Sequence, residues 1–393
     1  MSANLGLATG ELQQMQVAGG GESLWKEAFK RLRRDYIAMT GGITIILLIL
    51  LALLAPLLSP HDPNKQYPNG TSAYGMPLPI GASGKVLTVE LAEAPTKNSV
   101  IPRNIRFLSG DERYEFMSRD DIKVPAGQKQ VTALVNPLSP EMSLAANNLT
   151  VTPEGDGLLL RIQSATLTNG ESFPLGTDSS GRDVLSRLIF GSRVSLQVGV
   201  VAIFLSVVIG CILGLISGYF GGWVDMTIMR LTDIMMAFPD LLLVMAIVAV
   251  RGPSLGVIFI AISVVSWTQF ARIVRSQVLT LREMEFIEAS RALGTSDTSI
   301  MFKHILPNVA APVIVVATMG IAGAIMTEAA LSFLGFGVKA PTASWGSMIN
   351  DGLGYFRDQP LIPLIPGLAI AITVFAFNLF GDGLRDALDP RLK

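Results

Sequence analysis

The chain has 393 residues, 50% of them hydrophobic and only 16% charged, where an average soluble domain carries about 25% charge. A net charge of −1 gives no electrostatic basis for binding nucleic acid. One cysteine, Cys211, and two histidines, His61 and His304, exclude an intrachain disulfide and any cysteine or histidine metal cluster.

The apolar residues come in blocks of about 20 with little charge, the length that crosses a bilayer core. Residues 1–22 are polar and Gly-rich and are expected to be disordered. A basic segment follows: Lys26, Lys30, Arg31, Arg33 and Arg34. Next comes the first apolar run, Tyr36 to Leu58. It is too long and starts too late for a signal peptide, and no small-residue cleavage site follows it. The spacing predicts a first membrane helix at 36–59, with residues 1–35 in the cytoplasm by the positive-inside rule.

Residues 60–175 change character, becoming rich in Pro, Asn and Gly. Short alternating runs, Lys85 to Leu91, Gln130 to Val135, Leu149 to Val151 and Leu158 to Thr168, predict strands. A small β-rich extracytoplasmic domain is expected at about 84–172. The mixed charges of Asp111 to Asp121 read as a solvated face. Gly81 to Lys85 fails as a phosphate loop: Val86 stands where Ser or Thr is needed, and no strand–loop–helix surrounds it. The chain is not expected to hydrolyse nucleotide itself.

Five further spans are predicted at 194–218, 227–250, 255–275, 308–333 and 361–380. Six spans return the C-terminus to the cytoplasm, in keeping with Arg385, Arg391 and Lys393. Arg272, Arg275, Arg282, Arg291 and Lys303 mark the connection between spans four and five as cytoplasmic too. Arg182, Arg187 and Arg193 then fall outside, where Asp178 and Asp183 neutralise part of their charge. Span three carries Arg230, Asp233 and Asp240, expected to face protein or water. In span two Ser206, Gly210, Gly214 and Gly218 recur every fourth residue, a small-residue seam for a helix of a partner or of this chain.

The loop at 277–307 reads LREMEFIEASRALGTSDTSIMFKHILPN from Leu281 onward. Phe286, Ala289 and Leu293 form an apolar stripe on a short helix. Gly294 permits a sharp turn. Ser296 or Asp297 can cap a second helix, and Pro307 suits the start of span five. By shape alone this segment could lie on lipid headgroups or dock in a partner's groove.

Glu288-Ala289-Ser290, three residues, Gly294 and then Leu306-Pro307 closely resemble the EAA loop of ABC importer permeases. Ser290 replaces a small residue of that pattern. His304 stands where the pattern has Ile, and the neighbouring Ile305 could supply the apolar contact. Three further stretches resemble the dipeptide, oligopeptide and nickel branch. They are Leu175–Asp178 with Gly181–Asp183 and Ser186-Arg187; Gly222–Asp225 with Met229-Arg230 and Thr232-Asp233; and Glu328–Gly335 with Ser344–Gly346. Asp382–Asp386 adds to them, and the likeness, to the second permease of such systems, covers about 36–62 and 173–393.

The resemblance implies an all-α polytopic permease of the type I ABC importer kind, its β-rich insertion departing from the family. It implies a five-helix core at 176–393 in a bacterial or archaeal inner membrane. Its implied partners are a second permease, two cytoplasmic ATPases holding ATP and Mg²⁺, and an extracytoplasmic binding protein. No cofactor is expected in this chain. Glu288 is expected to anchor the ATPase, Ala289 to make close contact and Gly294 to make the turn. Dipeptides or oligopeptides are the expected cargo, with nickel second. An ion-coupled secondary transporter using Asp233 or Glu328 is the reading from another class, and a membrane-anchored scaffold a further one. Glu328 inside span five is expected to be structural, paired with an Arg or backbone, and Trp345 to be an interface anchor.

Overall fold

The computed structural model describes residues 24–72, 75–101, 104–109, 112–118, 121–137, 149–153 and 162–388. The expectation of disorder at 1–22 and the terminal charges Arg391 and Lys393 lie outside them.

A short basic helix, α1 (Leu24–Leu32), leads into α2 (Tyr36–Leu53) and one further turn, α3 (Ala55–Leu58). Asp35 caps α2: its carboxylate accepts from the amides of Ile37 and Ala38 at 2.9 and 3.1 Å. The span breaks at Leu54, just before Ala55-Pro56. One face of α2 (Ala38, Gly41, Ile45, Ala52) is buried, while Ile46, Leu47 and Leu50 point outward as for a lipid solvent.

The insertion is a closed antiparallel barrel in the order β1-β6-β4-β3-β7-β8, with a separate β2–β5 pair. Its strands are β1 (Ala82–Leu91), β2 (Ser99–Ile101), β3 (Asn104–Ser109), β4 (Glu112–Ser118), β5 (Ile122–Val124), β6 (Gln130–Pro137), β7 (Leu149–Pro153) and β8 (Ile162–Phe173). Alternation builds it: Leu87, Val89 and Leu91 of β1 turn inward beside Val135, Ala165 and Leu167. The residues read as a solvated charged face are mostly β4, whose Phe116 is buried in this core. Three charges in its first four residues, Glu112, Arg113 and Glu115, hide that strand in the sequence. Leu158 to Arg161 of the last expected strand lie outside the described residues, and β8 runs on to Phe173. Gly81 to Lys85 opens β1; Lys85 is buried and donates to Asn169 Oδ1 at 2.7 Å. Burial lowers its ammonium pKa to about 8.

Five helices among the described residues are long and apolar enough to cross a membrane. Besides α2 they are α4 (Val184–Phe220), α7 (Leu255–Leu281), the run 297–333 ending in α10 (Leu306–Phe333), and α12 (Leu361–Leu388). The predicted third span is not one straight helix. It is a pair, α5 (Gly222–Met236) and α6 (Asp240–Arg251), bent by 87° at the break. Pro239 causes this: the residue before a proline, Phe238, is driven out of the helical region. The pair passes as a sixth span only when its halves are taken together.

α4 begins ten residues before the predicted 194. The arginines that ended the predicted span are satisfied inside the protein. Arg187 sits 3.2 Å from Asp178, and Arg193 Nε donates to the Ala52 carbonyl at 2.6 Å. The seam glycines Gly210, Gly214 and Gly218 pack within this chain, against α7, while the buried Ser206 donates to the Ala202 carbonyl of its own helix at 2.8 Å. A Cβ on Gly210 would fall 2.4 Å from Phe270 Cβ, one on Gly214 2.6 Å from the Ala271 carbonyl, and one on Gly218 2.7 Å from Val278 Cβ.

Trp345 is not an interface anchor. It opens α11 (Trp345–Leu353), is 1% exposed, and donates from Nε1 to the Leu188 carbonyl at 2.9 Å.

Candidate functional site

Past α7 the chain makes α8 (Glu285–Ala292), a turn at Gly294, one turn α9 (Asp297–Ser299), a π-turn (Ile300–Ile305) and α10. Glu285 and Glu288 in the first turn of α8 and Arg291 in its last complement the helix dipole. Ile287 faces inward and is fully buried with Ile300 and Ile305. The predicted stripe faces the other way: Phe286 is 43% and Leu293 86% exposed, beside exposed Glu288 and Ala289. Ser290 is half-buried and its hydroxyl donates to the Phe286 carbonyl at 2.8 Å.

Gly294 ends α8 with φ +77°. Its amide donates to Arg291, and the Thr295 amide donates to Ser290, at 2.9 and 3.1 Å. This pair of bonds is a Schellman motif, which needs a left-handed residue at that point. Among the described residues no heavy atom beyond its chain neighbours lies within 4 Å of a Cβ built there, so the position is open.

Ser296 and Asp297 do not cap the second helix with their side chains. Asp297 instead accepts the phenol proton of Tyr219 at 2.6 Å. Pro307 lies in the first turn of α10, and the π-turn before it gives the ring room that a regular helix would deny. Ile305 is fully buried and His304 half-buried. Leu306 is half-buried and Pro307 exposed.

Sequence reasoning gave Tyr219 and Asp225 no role. Asp225 of α5 accepts from Arg275 of α7 and from Ser217 of α4, and Arg282 donates to the Gly218 carbonyl at 3.0 Å. Arg291 stacks over the Tyr219 ring, 5.1 Å from its centroid. The loop is therefore tied to the end of α4 by a polar cluster as well as by buried isoleucines. Of the charges in the predicted third span, Asp233 pairs with Arg272 at 2.9 Å on an exposed face.

The other end of α4 carries a second polar cluster. Asp178 meets Arg182 at 2.6 Å and Arg187 at 3.2 Å, and Asp351 of α11 lies 3.3 and 3.6 Å from the same two arginines. Burial raises the Asp351 pKa while both arginines pull it down. Asp183 pairs with no arginine of the cluster. It caps α4 through Ser186 and stands 3.3 Å from His61 Nδ1. Glu328 is likewise without an arginine among the described residues. Fully buried, it accepts from the hydroxyls of Ser332 at 2.7 Å and Ser195 at 3.3 Å. Ser332 lies 3.3 Å from the hydroxyl of Ser344, which caps α11.

Residues 210–393 match the family described as binding-protein-dependent transport system inner membrane component, and residues 23–77 match the N-terminal transmembrane domain of oligopeptide transport permease C. The chain is 51% identical to the dipeptide transport system permease protein DppC of Alkalihalophilus pseudofirmus over 218 residues, 56% of this chain and 72% of that one. That relative is thus about 300 residues long, roughly 90 fewer than this chain, close to the span of β1 to β8. The chain is also 44% identical to the glutathione transport system permease protein GsiD of Pectobacterium atrosepticum, over 56% of this chain and 73% of that one. A chain of the inward-facing MetNI methionine ABC transporter overlays on 52% of this chain and 96% of its own, with 21% identity and a TM-score of 0.43.

Proposed function

The chain belongs to the family of inner-membrane components of binding-protein-dependent transport systems, and we propose that it is the permease subunit through which an ATP-driven importer carries short peptides. Two relatives named for dipeptide and glutathione transport support this cargo class. The observation that carries the mechanism is the outward apolar face of α8. Phe286 and Leu293 are large and exposed, and on the opposite face of the helix Ile287 is buried in the core. In water such a face is costly, and a partner's groove removes it.

In this reading the groove belongs to a cytoplasmic ATPase, which also holds the ATP and Mg²⁺. Glu288 and Ala289 contact it beside Phe286 and Leu293, and the turn at Gly294 sets the angle of approach. A second permease completes the translocation path, and an extracytoplasmic binding protein delivers cargo. Both termini and the loop at 277–307 then lie on the cytoplasmic side, with the barrel outside. Closure of paired ATPases would shift α8 and bias two arrangements of the spans.

The test is transport by the complete complex in liposomes. Uptake of a labelled dipeptide is expected to require ATP and the binding protein, and to persist with an uncoupler present. Uptake abolished by the uncoupler with ATP intact would overturn the reading.

A further inference from the structure

We propose that Tyr219 is the grip through which movement of α8 is passed to the membrane helices, and that α4 is the rod that carries it. The inference rests on the reading of 277–307 as an ATPase-docking loop. Tyr219 sits in the last turn of α4 and is 7% exposed. Its hydroxyl donates to Asp297, just after the Gly294 turn, at 2.6 Å. Its ring lies under the guanidinium of Arg291, the last charged residue of α8. One side chain thus holds both sides of the turn.

The buried contacts of Ile287, Ile300 and Ile305 also join the loop to the core. Those contacts are non-directional and tolerate sliding. A hydrogen bond to a carboxylate is directional and weakens steeply on misalignment, so Tyr219 resists the slip that the isoleucines allow.

Beyond Tyr219 there is little slack. Gly210, Gly214 and Gly218 set α4 against α7 at backbone distance. Ser217 and Arg275 share Asp225, which brings α5 into the same body. From Tyr219 to Arg187, α4 is unbroken over about 48 Å. At its far end it holds Asp178 through Arg187 and Glu328 through Ser195, beside α11. A displacement taken up at Tyr219 therefore reaches the opposite face of the protein through one helix.

The test uses the complete complex in liposomes, measuring ATP hydrolysed per peptide imported. Tyr219→Phe keeps the ring under Arg291 and removes only the hydroxyl. Asp297→Ala removes the acceptor, and Asp297→Asn retains one. Tyr219→Phe and Asp297→Ala are each expected to raise the ratio about fivefold or more, the lower end of ordinary coupling between sites. The double variant is expected to add little, because both changes break one contact, and Asp297→Asn is expected to stay near wild type. A ratio unchanged in both single variants overturns the proposal. So does a ratio raised only in proportion to a fall in thermal stability, which marks a merely structural role. Should Tyr219→Phe fail to assemble, Asp297→Ala on the exposed side reads the same contact. A wild-type complex that imports peptide without ATP would sink the docking reading itself, a result separate from any effect of the variants.

Discussion

Gly210 of α4 and Phe270 of α7 stand so close that a Cβ on the glycine would lie 2.4 Å from that of the phenylalanine. No relaxation of a flexible side chain relieves this contact, because the Trp267 carbonyl is 2.7 Å from the same point. Gly210→Ala is expected to part α4 from α7 and to destabilise the chain by about 1–3 kcal/mol. Thermal unfolding in detergent checks this. Gly256→Ala, in the same α7 but with nothing within 4 Å, is expected to leave the midpoint unchanged or raise it.

Gly294 gives the converse case. Its φ of +77° costs a side-chain-bearing residue about 1–2 kcal/mol, yet among the described residues no heavy atom beyond its chain neighbours lies within 4 Å of the added Cβ. Gly294→Leu is therefore expected to leave the chain folded and inserted while substrate-stimulated ATP hydrolysis falls in the reconstituted complex. Normal stimulation would show that no partner approaches this turn.

The carboxylate of Glu328 holds Ser332 and Ser195 together inside the protein. Glu328→Ala removes that acceptor and opens a cavity, and is expected to destabilise by about 2–4 kcal/mol. Glu328→Gln keeps a carbonyl acceptor and is expected to retain transport driven by ATP. Loss of transport in the Gln variant, with stability intact, would restore a proton-carrying role to this residue.

The stems of the barrel are neighbours. Ala82 and Phe173 are partners in the β1–β8 ladder, so an Asn-Gly turn can join them with little strain. Replacing residues 83–172 by such a turn is expected to leave the membrane helices inserted, as judged by membrane fractionation and protease protection. A chain lost from the membrane would mean that the barrel is needed for the core to fold.

Lys85 inside the barrel makes its stability depend on pH. The folded pKa of about 8 lies below the ordinary 10.5, so between these values the unfolded chain holds more protons. Barrel stability is therefore expected to rise with pH through that window. The check is the denaturation midpoint at pH 7.5 and 10.5, followed by a probe at exposed position 97. In Lys85→Met the rise should vanish.

Apolar blocks of bilayer length, the four-residue spacing of the seam and the EAA-like pattern are local, and a linear chain displays them in full. They were enough to determine a membrane permease with a β-rich insertion and to single out the loop from Glu288 to Pro307. Tertiary structure decided what depends on residues distant in sequence. It assigned the glycine seam to α7 rather than to a partner helix. It bent the third span at Pro239, and it hid Arg187 against Asp178 and Asp351, so that α4 starts earlier than its charges suggested. It gave Glu328 hydroxyl partners in place of an arginine, buried Trp345, and sent Asp297 to Tyr219, 78 residues away, instead of to a helix cap. The physical reason is common to all of these. A charged or polar side chain tells only that it needs a partner, and which partner it finds is fixed by how the helices pack.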